Sequence, residues 1–179
     1  IIDADSHFME PLDLWEKYID PKYRSRCLRF EQDLQNDRYT IVIEDFKIDH
    51  SGDLSIEELL GVAVGYGQKE ADQGLKTFDP AAAFSHSLED MDTRLRFLDS
   101  EGIESQFIYP TLGLFWEDLV EDPELAAAHC RAYNRWAVEV CQGHSDRLYP
   151  LGHISLRHPA AAVEELKQLA KDGLRGVFV

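Results

Sequence analysis

From Asp90 onward the chain alternates short apolar runs with amphipathic helices, and this rhythm constrains its fold more than any other feature. Met91, Leu95 and Leu98 recur at helical spacing up to Glu101-Gly102, and a strand-like run, Ile103 to Tyr109, follows and is closed by Pro110. Asp122-Pro123 has the form of a helix start, with Asp at the N-cap and Pro in the first turn. Leu125, Ala132, Trp136 and Val140 then mark one apolar face, and Gly143 stops the helix. Leu148 to Leu156 is a third strand candidate. Pro159 opens another helix with Val163, Leu166 and Leu169 predicted to face inward, ended by Asp172-Gly173, and Gly176 to Val179 begins a further strand. Strands and helices in strict alternation, joined by short connections, are the pattern of a parallel α/β sheet.

The segment 21–80 breaks the rhythm. Arg38 to Glu44 alternates like a strand, while Gly61, Gly65 and Gly67 suggest a loop. No Lys-Ser/Thr pair follows them in the way a phosphate-binding loop needs. The segment reads as an insertion after the first strand, a hairpin with a lid-like loop, inside one domain that takes in residues 1–179. Four parallel strands alone would leave an open edge, whereas a closed eight-stranded barrel takes about 250 residues. The chain is therefore expected to be part of a longer one.

Charge and cysteine usage narrow the partners. A net charge of -16 repels nucleic acid and anionic lipid. No apolar run approaches the roughly 20 residues of a membrane span. Cys27, Cys130 and Cys141 form no C-x-x-C pair. At ~1.5 Å rise per residue, Cys130 and Cys141 would lie about three helical turns apart, too far to bond. A reduced, cytoplasmic protein is the expectation.

The chemistry begins at Asp3-Ala4-Asp5-Ser6-His7. Alternate residues of a strand share a face, which predicts Asp3, Asp5 and His7 on one side. A carboxylate and an imidazole two residues apart can reach one divalent ion, and such O and N donors suit zinc, manganese or iron. The competing reading is a strand ending in a polar turn, with His7 bonded to backbone.

The string from Ile1 to Pro11, with Asp5, His7 and Glu10-Pro11, resembles the opening of the amidohydrolase-related enzymes, in the branch containing aminocarboxymuconate semialdehyde decarboxylase. Met91-Asp92 through Tyr109-Pro110-Thr111, Leu151-Gly152-His153-Ile154 and Gly173 to Val177 resemble the same family, in its order. The resemblance implies a (β/α)8 TIM barrel of which this chain supplies roughly the first half. It also implies one divalent metal ion, zinc first and manganese or iron next, held by Asp5 and His7. The family's usual opening is His-x-His, and some aromatic-acid decarboxylases carry Glu-x-His; here the first position is the shorter Asp5. A later His ligand and an acid–base Asp are expected beyond Val179, since two ligands do not hold a catalytic ion tightly.

The activity implied is decarboxylation, or another carbon–carbon lyase reaction, of an aromatic or unsaturated carboxylic acid. Metal-dependent hydrolysis of a C–N or C–O bond is the alternative within enzymes, and a non-catalytic binding domain the alternative outside them. A homodimer is expected from the resemblance. Tyr109, Thr111 and His153 are candidate substrate contacts, with Tyr109 equally readable as core. Glu10 either steers His7 or caps a short helix from Pro11 to Tyr18, the cap being preferred. His129 and His144 read as structural, His158 as lying near a helix start, and Trp15, Trp116 and Trp136 as packing residues.

Overall fold

The structure, a computed structural model, describes residues 1–33, 38–47, 90–114 and 116–179. Gly61, Gly65, Gly67, His50 and His86, and with them the loop assigned to the insertion, lie outside the described residues.

Strand β1 (Ile2–His7) leads into helix α1 (Leu14–Tyr18). A 3-10 turn, Pro21–Arg26, carries the chain into β2 (Arg29–Asp33), β3 (Arg38–Ile43) and β4 (Phe46–Lys47), an antiparallel sheet in that order. Helix α2 (Met91–Glu101), β5 (Ser105–Tyr109), α3 (Pro123–Val140), β6 (Leu148–Pro150), β7 (Gly152–His153), α4 (Pro159–Lys171) and β8 (Val177–Phe178) complete the order.

The main sheet is parallel throughout. β1 pairs with β5, β5 with β6, and β7 with β8. The expected third strand, Leu148 to Leu156, is divided. Its first half bonds β5 and its second half bonds β8, with the Leu151 N–H still reaching Ile108 O at 2.9 Å before Gly152 N–H turns to Gly176 O at 3.1 Å. Leu156 lies beyond the pairing and is exposed. Sequential parallel strands with helices between them are the build of a (β/α) barrel, and all four strand paths deliver their C-terminal ends to the same side.

The helix ends follow the predicted chemistry. Asp90 caps α2 by accepting the Asp92 N–H, and Asp122 caps α3 by accepting the Glu124 and Leu125 N–H groups. Gly102 closes α2 with φ at +67°, the left-handed conformation that glycine adopts without a Cβ penalty. His158 accepts the Ala161 N–H at the start of α4. Two expectations fail. The short helix begins at Leu14 with Asp13 before it, so Glu10 is not its cap. Val163 and Leu166 are exposed while Ala162 and Leu169 are buried with Ile154 and Leu174, and nothing among the described residues covers the other apolar face.

The core runs continuously from α1 through β3, α2 and α3, with Phe8, Trp15, Trp116, Tyr133 and Trp136 buried in it. His129 is also core. Its Nδ1–H donates to Leu125 O and its Nε2 accepts the Leu28 N–H, and burial pushes its pKa down to about 4, so it stays neutral. All three cysteines are free and buried. Burial pushes the Cys27 and Cys141 thiols up to about 11 and about 12, so they pack as thiols.

One helix side chain stands in for a missing strand. Beyond Leu151 the β5 side of β7 has no backbone partner among the described residues, and Asn134 of α3 fills the gap. Its Oδ1 accepts the His153 N–H at 2.7 Å, and its Nδ2 donates to His153 O at 2.9 Å and to Glu165 at 2.7 Å. Asn134→Ala would leave a buried N–H and C=O unpaired, at a cost of about 2–4 kcal/mol. Urea unfolding should show this as a lower midpoint with an unchanged slope.

Candidate metal centre

Asp5 and His7 stand at the C-terminal end of β1, the side on which all the parallel strands finish. The alternation that placed Asp3, Asp5 and His7 on one face is interrupted. Asp3 pairs with Gln106 but Ser6 with Ile108, so the register shifts by one residue between them. Asp3 holds that bulge together, its carboxylate accepting the Asp5 N–H at 3.1 Å and the Ser6 hydroxyl at 2.7 Å. Burial works against the charge on Asp3, yet hydrogen bonds from Ser6, Asp5 and Gln106, with the charge of Arg94, keep its pKa below the usual carboxylate value. Asp3 is therefore a support beneath the site.

His7 is fixed on its inner side and open on its outer side. Its Nδ1–H donates to Pro110 O at 2.9 Å, and the Arg94 guanidinium donates to its carbonyl at 2.7 Å. Arg94 is itself buried and also bonds Gln106, and burial brings its pKa down to about 10. With Nδ1 committed, Nε2 carries the free lone pair. The Asp5 carboxylate lies 4.0 Å from it, with side-chain exposures of 93% for Asp5 and 41% for His7. An imidazole whose inner nitrogen donates to a carbonyl is the usual form of a metal-ligating histidine. A common ion would bring its ligand atoms somewhat closer than this, and the exposed Asp5 is free to move that far. The donor set fits a divalent cation in part: no group of three or more His, Cys, Asp or Glu side chains suited to an ion occurs among the described residues.

Of the three candidate substrate contacts, Tyr109 lies at the mouth. It is half-buried beside His7, ring centroids 5.8 Å apart, and meets Phe178 edge-on at 6.4 Å. Thr111 is turned inward: its hydroxyl donates to Phe8 O and its N–H to Glu10. It serves the loop rather than an open surface, because the hydrogen bond to Phe8 keeps the side chain buried. His153, at the end of β7, is completely buried among Trp116, Tyr133 and Phe178. Its Nε2 lies 3.3 Å from the Glu117 carboxylate, and its Nδ1 has no hydrogen-bond partner among the described residues. The hydrogen bond from His153 holds the Glu117 carboxyl below its ordinary pKa despite partial burial.

Glu10 has partners that the sequence did not disclose. Fully buried, its carboxylate accepts the backbone N–H groups of Thr111 at 2.9 Å, Leu112 at 3.0 Å and Gly113 at 3.2 Å. It neither caps α1 nor touches His7. No local spacing signals a bond across 101 residues; the nearest hint is the adjacent Pro11, which disfavours a helical conformation at Glu10. Glu117, Arg94 and Asn134 were missed for the same reason. The concavity lined by Ile1, Gly102, Glu104 and Arg147 lies at the opposite ends of the strands, where Arg147 already bonds Asp99 and two carbonyls.

Burial raises the Glu10 pKa from 4.5 to about 7, against the pull of the three amides. The folded state thus binds this proton more readily than the unfolded chain. Stability from this group is full below pH 4.5, falls as pH rises to about 7, and is level above that. Wild type should lose stability relative to Glu10→Gln between pH 4.5 and 8, by at most on the order of 3 kcal/mol. Urea midpoints of the two proteins across that range test this.

A family model described as Amidohydrolase matches residues 2–179. Among solved structures, an amidohydrolase from Mycobacterium avium subsp. paratuberculosis K-10 aligns with a TM-score of 0.73 at 27% identity, over 97% of this chain and 47% of that one. A 2,6-dihydroxybenzoate decarboxylase from Rhizobium aligns with a TM-score of 0.52 at 18% identity, over 99% of this chain and 37% of that one, a likeness of fold. The chain thus spans about half the length of the first. No curated protein matches. With its strand order and its match over residues 2–179, the chain belongs to the amidohydrolase family and supplies part of a TIM barrel.

Proposed function

We propose that Asp5 and His7 are two ligands of a single divalent ion, zinc in the first instance, in a decarboxylase acting on an aromatic or unsaturated carboxylic acid. The observation that carries this reading is the orientation of His7: Nδ1–H is spent on Pro110 O, and Nε2 faces outward beside the Asp5 carboxylate. The resemblance of the opening to the aminocarboxymuconate semialdehyde decarboxylase branch favours decarboxylation among the family's reactions.

A bound ion would supply Lewis acidity, polarising a carboxylate or a neighbouring oxygen of the substrate. This chain's residues would hold and shape the site around it. His7 is the fixed donor, and Asp5 the adjustable one that also contributes negative charge. Tyr109 and Phe178 form an aromatic wall on which a flat, unsaturated substrate could lie. The ion's remaining ligands and the proton donor are assigned to groups outside the described residues. A homodimer remains part of the proposal, as does a cytoplasmic setting; no helix among the described residues is long and apolar enough to cross a membrane.

Hydrolysis of a C–N or C–O bond is the second reading, and the neighbour described as an amidohydrolase at 27% identity favours it. The same ion and the same two residues would serve either reaction.

Elemental analysis of the purified full-length protein should find about one divalent ion per chain. His7→Ala should lower that occupancy at least tenfold, and Asp5→Ala by a smaller factor, because the exposed Asp5 is the less rigid donor. Incubation with hydroxybenzoates and unsaturated diacids should release carbon dioxide, and amides and esters should be unaffected. Hydrolysis without carbon dioxide would select the second reading, and metal content indifferent to both substitutions would remove the site.

A further inference from the structure

We propose that Glu10 is the positioning residue of His7, setting its tautomer and metal affinity by holding the backbone from Pro110 to Gly113 in place. The inference rests on the assignment of His7 as a ligand, and it concerns a residue that does not touch the ion.

The geometry forms a closed chain of contacts between the ends of β1 and β5. Phe8 N–H donates to Tyr109 O at 2.8 Å, and the Thr111 hydroxyl donates back to Phe8 O at 2.5 Å. Between these two bonds the chain carries Pro110, whose carbonyl accepts the Nδ1–H of His7. The next three N–H groups all point at Glu10. Oε1 takes those of Thr111 and Gly113, while Oε2 takes that of Leu112 and lies 3.2 Å from that of Thr111. Both oxygens are therefore in use, and it is the ionised side chain, the form that prevails above about pH 7, that accepts at both. A glutamine at this position would offer one acceptor and turn an NH2 group toward at least one amide N–H.

Besides Glu10, the loop's own bonds are the Thr111 hydroxyl to Phe8 O and the Leu114 N–H to Thr111 O at 3.2 Å. Pro110 has no N–H to anchor it, and Gly113 is packed so closely that an added Cβ would lie 2.8 Å from Pro110 Cβ. Remove the carboxylate and three buried N–H groups lose their acceptor, so the backbone must turn to find others. The Pro110 carbonyl turns with it. His7 would then lose the bond that keeps its proton on Nδ1, and the nitrogen meant for the metal would carry that proton in part of the population.

The test reads the histidine directly. At pH 8, nitrogen-detected NMR of the metal-free full-length protein, with His7→Ala for assignment, should show His7 protonated at Nδ1. In Glu10→Gln the signal should move toward the Nε2–H form, and the affinity for Zn2+, measured against a chelator, should fall 10–100-fold, the range usual for groups that orient a ligand. Glu10→Asp, which keeps the charge but shortens the reach, should fall between the two and serves if Glu10→Gln does not fold. If either variant folds with wild-type tautomer and affinity, the proposal is overturned. A wild-type His7 protonated at Nε2 overturns it with no variant needed. Equal Zn2+ affinity in wild type and His7→Ala would instead dismiss the metal site, while the tautomer comparison would still decide what Glu10 does.

Discussion

A fully buried carboxylate that gathers three successive backbone N–H groups is the joint on which the C-terminal side of this sheet depends. Glu10 leaves β1, crosses to the loop after β5, and satisfies amides at the start of the short 3-10 turn Leu112–Leu114 that would otherwise be orphaned. Taking a carboxylate out of water costs several kcal/mol unless it is well bonded. Here the donors are main-chain groups, fixed before any ligand arrives. One loop serves two histidines: Pro110 presents its carbonyl to His7, and Gly113 packs so near His153 that an added Cβ would sit 3.4 Å from its Nδ1.

The props beneath this joint come from helices. Arg94 of α2 reaches the His7 carbonyl and, through Gln106, the carboxylate of Asp3. Asn134 of α3 holds both backbone groups of His153, and Glu165 of α4 holds Asn134. Each candidate histidine is thus anchored at the main chain by a buried polar side chain from a neighbouring helix. Among the described residues Asp5 has no comparable anchor on its carboxylate, and its side chain is almost fully exposed. A site with one rigid and one adaptable donor can bind an ion without straining the sheet, because the adjustment falls on a side chain that costs little to move.

The parallel sheet, the boundaries of the three long helices and the place of Asp5 and His7 at the end of β1 were legible from the sequence, since each rests on local signals: apolar period, Asp-Pro helix starts, glycine after helix ends. What was not legible was long-range. Glu10 looked like a helix cap because Pro11 follows it, and only the approach of β1 to β5 reveals its partners a hundred residues away. Thr111 looked like a mouth residue because it follows a strand, but the Phe8 carbonyl draws its hydroxyl inward. The bulge between Asp3 and Ser6 is likewise invisible to a period-2 reading, since it is the pairing with β5 that registers it. Val163 and Leu166 obey helical spacing and remain exposed, because spacing identifies an apolar face without saying what covers it.

The charge of the protein bears on what the proposed site could take. A chain with a net charge of -16 repels a carboxylic acid substrate at long range, and Asp5 and Glu117 add negative charge near the mouth. Distant charges are screened beyond about 8 Å at physiological ionic strength, so capture is decided locally. The buried guanidinium nearest the site, Arg94, points into the sheet and is spent on Gln106 and the His7 carbonyl. A cation held by His7 and Asp5 would, in the proposed reading, attract the substrate carboxylate, since Arg94 is already committed to the sheet. In the proposed reading, binding the metal and recognising an acid are one electrostatic act, and the orientation of His7 governs both.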